Sequence, residues 1–338
     1  MPAPVPLFPA ARPALLPAAS ARPLCSILID AEEDFDWQRP VHGTDFDLGC
    51  MRHLSDLQSI LGAYGTVPTY LLTYPVLQDP AIVAALRGRL ARGQCLVGIQ
   101  LHTWVTPPFG EAPDVRNSFG ANLSAEREEQ KLLALMALFR DRFGEDPRVF
   151  RAGRYGLGPN TPALLEKHGF RIDTSLAPCT SFGDEEGPDF STDDFAAFWF
   201  GRSRALLELP LCRSIVGWGG QTAARAYRRL TSMGPRRHIL PGLLAWSRCA
   251  ERITLSPEGN DADAVGRLVA SLLGRGQKVL ALSLHSSSLS MGRNPYVRSR
   301  ADLHGFYDRL SAIMDMLAGR YGVEFLPVLD VPARLHDG

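Results

Sequence analysis

The feature that most constrains this chain is a rhythm. Short apolar runs alternate with stretches of helical spacing along most of the 338 residues. Strand-like runs are predicted over 24–30, 67–74, 95–101, 147–153, 170–175, 205–211, 252–257, 278–284 and 323–328. Helices are predicted over 45–64, 79–93, 124–143, 161–169, 221–251 (broken at Gly234–Pro235), 261–275 and 300–321. A loop-rich passage over 176–205 interrupts the pattern. Strand followed by helix, repeated, implies parallel strands joined by crossover helices. Runs such as "VLALSL" are apolar at consecutive positions, so both faces of those strands are buried. Asp30, His102, Arg151, Asp173, Glu258 and His285 fall at or just past the C-terminal ends of the predicted strands. Barrel enzymes gather their chemistry at that end, so an α/β fold with a closed or nearly closed barrel is expected.

Composition narrows the function classes. The chain is 45% hydrophobic and 21% charged, with a formal net charge of zero, so no global field favours nucleic acid or a membrane. No apolar run reaches the roughly 18 residues of a transmembrane segment. Cysteines at 25, 50, 95, 179, 212 and 249 form no CxxC pair and are expected as buried free thiols in a reducing compartment. Residues 1–23 are mostly alanine and proline and lack the unbroken apolar core of a signal peptide. They are expected to be a disordered tail on a cytoplasmic protein whose domain spans 24–335; export is the minority reading.

Candidate site residues come from five segments. "SILIDAEEDFDW" drives a buried strand into five carboxylates. Asp30 and Glu32, two apart, face one side and suit a base beside a metal ligand. Glu33, Asp34 and Asp36 read as a solvated loop. "IQLHTWVTPPFG" places His102 past a strand, beside Trp104 and a Pro-Pro turn; a core-edge histidine is the plainer reading. "SLHSSSL" places His285 at the end of the most apolar strand, as general acid or structural histidine. "RAGRYGLGPNTP" offers Arg151 and Arg154, guanidiniums able to orient a carboxylate, with an incomplete glycine pattern for a dinucleotide loop. The basic run 224–238 reads as the solvated side of helices rather than a contact for an anionic partner.

The stretches "DAEEDFDW", "PTYLLTYPV", "HTWVTPPF", "RAGRYGLGPNT", "DTSLAP", "LLELPL", "LSPEGN", "LSLHSSSL" and "PYVRS", in this order, resemble the polysaccharide deacetylases, and more narrowly the WalW-type subgroup. The resemblance covers about Cys25 to Arg334. It implies a distorted, incomplete (β/α) barrel of about seven parallel strands. It also implies a hydrolase that removes N-acetyl or O-acetyl groups from a carbohydrate, with metal-bound water as nucleophile. By the same resemblance Asp30 is the base, Arg151 holds it, and His285 protonates the leaving group. Glu32, His102 and Gln100 are the metal positions. Leu284 lines an acetyl pocket, and Trp104, Arg154 and Tyr155 join Trp37 around the substrate. The implied cofactor is a divalent metal, zinc in the family, and the implied partner an N-acetylated carbohydrate.

The metal segment departs from the family's pattern of a histidine and a second one four residues later, with Gln100 and Trp104 at those places and only His102 remaining. Gln100 stands where the first metal histidine belongs, and a neutral carbonyl is a poorer zinc ligand than imidazole. Two alternatives follow: a metal-free, catalytically silent homologue that binds a glycan or partner, or a glycosidase pairing Asp30 or Glu32 with Glu258. Retaining glycosidases need carboxyl groups roughly 5–5.5 Å apart.

Overall fold

The computed structural model describes residues 15–17, 22–34, 46–191, 196–231 and 239–337. Its strands in chain order are β1 (Leu15–Pro17), β2 (Leu24–Ala31), β3 (Thr69–Leu72), β4 (Leu96–Leu101), β5 (Val149–Ala152), β6 (Ile172–Asp173), β7 (Phe198–Phe200), β8 (Leu206–Glu208), β9 (Arg213–Val216), β10 (Glu251–Thr254), β11 (Val279–His285), β12 (Glu324–Phe325) and β13 (Leu335–Asp337).

Nine of them form one sheet in the order β11-β2-β3-β4-β5-β6-β8-β7, with β12 beside the start of β2. From β11 to β8 all neighbours are parallel; β7 closes the far edge antiparallel to β8. The sheet curls without its end strands pairing, so the barrel is incomplete. β2 and β3 are buried at every residue, as their continuous apolar runs require.

Helices cover the sheet where the spacing placed them. Asp79 caps Pro80–Ala91 by accepting from the Ala81 and Ile82 N–H groups. Ser124 caps Ala125–Phe143, which ends at Gly144 in the left-handed region (φ 80°). Leu132, Leu135, Met136 and Phe139 form the buried stripe of that helix.

Four expectations change. The run 252–257 gives β10, which pairs antiparallel with β9 outside the main sheet. Between these two strands lie helices Gly220–Thr231 and Ile239–Trp246, so this part of the chain is an inserted unit; the expected break at Gly234–Pro235 lies outside the described residues. The passage 176–205 contributes β7, its Phe198 and Phe200 buried. Finally, the tail expected over 1–23 is not uniform: Leu15–Pro17 pairs antiparallel with Leu335–Asp337, and Leu15 is buried in the main core. An apolar pair flanked by prolines suffices to add a short edge strand.

Candidate active site

Register brings the distant segments together. On the adjacent strands β2 and β11, Asp30 lies directly opposite His285. On β4 and β5, Gln100 lies opposite Arg151. All four occupy the C-terminal rim, and with Glu32, His102, Ala152, Arg154, Tyr155 and Phe182 they line a cavity of about 190 Å³.

Asp30 is gripped from two sides. Arg151 Nη1 donates to Asp30 Oδ1 at 2.5 Å, and His285 Nε2 stands 3.4 Å from Oδ2. Arg151 is itself fixed by Nε donating to Thr174 Oγ1 (3.0 Å), with Nη2 at 3.4 Å from Ser283 Oγ. Burial opposes the arginine's charge, and Asp30 more than restores it, so its pKa rises.

His285 has a carboxylate on its other face. Its Nδ1 pairs with Glu258 Oε2 at 2.8 Å, and its backbone N–H donates to Glu258 Oε1 at 2.8 Å. Ser288 Oγ donates to the same oxygen at 2.6 Å. Burial alone would lower the His285 pKa; Glu258, together with Glu32 and Asp30, outweighs it and pushes the value up to about 10. The imidazolium is therefore the form present at neutral pH. The imidazole also stands between Asp30 and Glu258, so these two acids do not flank a common space as the glycosidase reading requires.

The third group is Glu32, Gln100 and His102. His102 Nε2 lies 3.4 Å from Glu32 Oε2, and Gln100 Nε2 lies 3.4 Å from the same oxygen. His102 Nδ1 pairs with Glu33 Oε1 at 2.7 Å, and its ring stacks on Trp104 at 4.1 Å between centroids. Burial pushes the Glu32 carboxyl up to about 8, against the pull of His285 and His102.

Glu33 corrects the solvated-loop expectation, being fully buried. The chain stays inside after β2 because Glu32 N–H donates to Ser286 Oγ at 3.1 Å, anchoring this segment under the turn that follows β11. Asp34 is likewise drawn in. Its backbone N–H donates to Asp47 O (2.8 Å), its side chain lies 3.5 Å from Arg293 Nε, and burial raises its carboxyl to about 6. Asp36 and Trp37 lie outside the described residues.

Other substrate-side expectations divide. Tyr155 faces the cavity with Arg151 5.7 Å from its ring centroid. Arg154 lines the cavity while binding Ser118 Oγ (2.7 Å) and Glu185, its guanidinium 4.4 Å from the Phe119 ring centroid. Arg154 and Tyr155 both adopt left-handed backbone (φ 53° and 56°), conformations costing about 1–3 kcal/mol each and concentrated at functional sites. The preceding Gly153 is required by crowding, since a Cβ there would sit 2.5 Å from His102 Cδ2 and 2.6 Å from Leu101 O. Leu284 is fully buried but does not line the cavity. Ser283 and His285 take the cavity side of β11, and alternation turns the residue between them to the opposite face. Trp104 does not line this cavity either; it borders the neighbouring one with Phe109 and Asn117. Phe182, which the sequence did not single out, completes the wall and stacks with Tyr155 at 6.4 Å.

The set fits a divalent ion through mixed donors. Glu32 Oε1 and Gln100 Oε1 are both buried and without a hydrogen-bond partner, as acceptors left for a cation or water would be. Glu33 engages His102 Nδ1 and leaves Nε2 toward Glu32, the carboxylate–imidazole arrangement that orients a metal ligand. Among the described residues no group of three or more His, Cys, Asp or Glu side chains forms a metal cluster, so an ion held here would take Gln100 as its third donor. One imidazole, one carboxylate and one neutral carbonyl bind more weakly than a site with two imidazoles.

No protein-family model and no curated protein sequence matches the chain. Solved structures do. A candidate polysaccharide deacetylase from Mycobacterium smegmatis superposes with a TM-score of 0.52 at 15% identity, over 96% of this chain and 94% of that one. An allantoinase, Puue, superposes with a TM-score of 0.53 at 16% identity, over 98% and 96%. Such low identities establish architecture alone, and in architecture this chain is similar to the polysaccharide deacetylases, with their distorted, mostly parallel β/α barrel.

Proposed function

We propose that the protein is a hydrolase that removes acetyl groups, N-acetyl in the first instance, from a carbohydrate. The observation that carries this reading is the clamp on Asp30, a carboxylate held between Arg151 and the protonated His285 at the mouth of the cavity. Asp30 accepts the proton of the attacking water, its orientation fixed by Arg151. His285, kept protonated by Glu258, donates to the departing nitrogen as the acyl–nitrogen bond breaks. The substrate face is shaped by Tyr155, Phe182 and Arg154. Glu32, His102 and Gln100 would hold a divalent ion, whose contribution when bound is Lewis acidity toward the acyl oxygen. Zinc is the family's ion, and Gln100 weakens the preference for it.

The test is acetate release from N-acetylated sugars during titration with zinc, cobalt, manganese and magnesium. Release that depends on Asp30 and His285 supports the reading. A folded protein that releases none with any of these ions ends it. Gln100 favours a second reading, a silent homologue that binds a glycan. Calorimetric glycan binding by metal-free protein, with activity appearing only in Gln100→His, would establish that alternative.

A further inference from the structure

Away from the sheet rim, residues 209–250 carry seven arginines and no aspartate or glutamate, in a chain of zero net charge. The described residues of this stretch include β9 and the two inserted helices. The insertion is also where apolar side chains reach solvent. Trp218 is 76% exposed and Trp246 86%, with Leu240 at 52% and Leu243 at 55%. These four are half of the eight large exposed apolar side chains among the described residues, which makes a patch rather than a scatter. Trp218 is tied to the end of the second helix, its indole N–H donating to Ser247 O at 2.8 Å, so the two indoles belong to one surface.

Beside this surface opens a cavity of about 760 Å³ bordered by Trp218 and by Arg225, Arg228, Arg248, Arg267 and Arg275. Arg267 pairs with Glu251 at 2.6 Å. No carboxylate among the described residues pairs with Arg225, Arg228 or Arg248, and Arg228 Nε is buried without an acceptor. Solvent-facing indole and leucine next to unneutralised guanidinium is the composition of a surface made for a lipid–water interface.

We propose that this insertion docks the protein on an anionic phospholipid bilayer. The indoles and leucines enter the headgroup region while the arginines bind headgroup phosphates. Charge complementarity selects this occupant. A second copy of the chain across a two-fold axis would set guanidinium against guanidinium. A nucleic acid would leave Leu240 and Leu243 without a partner. No helix among the described residues is long and apolar enough to cross a membrane.

The experiment uses the full chain with phosphatidylcholine vesicles, with and without phosphatidylserine. Binding that requires phosphatidylserine, weakens with added sodium chloride and brings tryptophan quenching by brominated lipid supports docking. Arg225→Ala with Arg248→Ala should weaken partitioning about 5-fold per arginine. Trp218→Ser with Trp246→Ser should remove the bromolipid quenching, with circular dichroism confirming an intact fold. Equal binding to both vesicles, absence of binding, or indifference to both double variants overturns the proposal. So does displacement by millimolar inorganic phosphate, which would mark a small-anion site, or a dimer abolished by the tryptophan substitutions, which would mark a self-interface.

Discussion

At the sheet rim Asp30 faces Arg151, Glu258 faces His285 and Glu33 faces His102, whereas on the insertion Arg225, Arg228 and Arg248 face no carboxylate among the described residues. The contrast is one of solvent. A buried charge without a partner carries a desolvation cost of several kcal/mol, so the rim is neutralised pair by pair. Arg225 and Arg248 are exposed, and an exposed guanidinium is solvated by water and needs no partner.

The contrast is broken most directly at Arg151. Arg151→Met leaves Asp30 buried beside a hydrocarbon and should cost about 3–5 kcal/mol in urea unfolding. A loss under about 1 kcal/mol would mean that the rim pairs are not mutually dependent. Next, His285→Ala should lower acetate release about 10²–10⁴-fold in the range typical of a lost general acid. A matching fall on an acetyl ester with an activated leaving group, which needs no protonation, would assign His285 a structural role instead.

A smaller effect sharpens the electrostatics. The His285 pKa is raised, so its stabilising contribution is full below about 6.5 and lost as pH rises through about 10. Glu258→Gln removes the largest raising influence, and the window should contract from its upper end. Imidazole titration by NMR would show the value falling toward neutrality, and the alkaline limb of any pH–rate profile should move down with it. The smallest effect belongs to the other region. Arg225→Ala and Arg248→Ala should each change stability by less than about 0.5 kcal/mol in the same urea experiment. A loss above 1 kcal/mol would place these arginines inside the fold's own charge network and remove the contrast.

Much of the architecture was legible because it rests on local periodicity. The continuous apolar runs of β2 and β11 and the helices expected over 79–93 and 124–143 needed no tertiary information. The run 252–257 was legible as a strand but not as a member of a separate hairpin, because partner choice depends on which edge is free, and no local pattern encodes that. The meeting of Asp30, Arg151 and His285 at one rim was readable from their strand-end positions. Glu33 was not. It shares a stretch with other acids, and only the burial of that stretch beneath the turn after β11 separates it from a surface carboxylate. Leu284 shows the converse, since being beside His285 in sequence sets it on the other face of the strand. Phe182 carried no signal, as it enters the wall from an irregular segment without periodicity.

By itself the sequence determined that strands would be parallel and buried and that polar residues would collect at their C-terminal ends, since both follow from side-chain spacing along a chain of fixed geometry. The tertiary structure alone decided which charges meet. The pairing of Asp30 with Arg151, of Glu258 with His285 and of Glu33 with His102 joins segments 121, 27 and 69 residues apart. The reason is range: hydrogen bonds and ion pairs in a buried site act over a few ångströms, and only the curl of the sheet, with the segments packed at its rim, brings such distant residues that close.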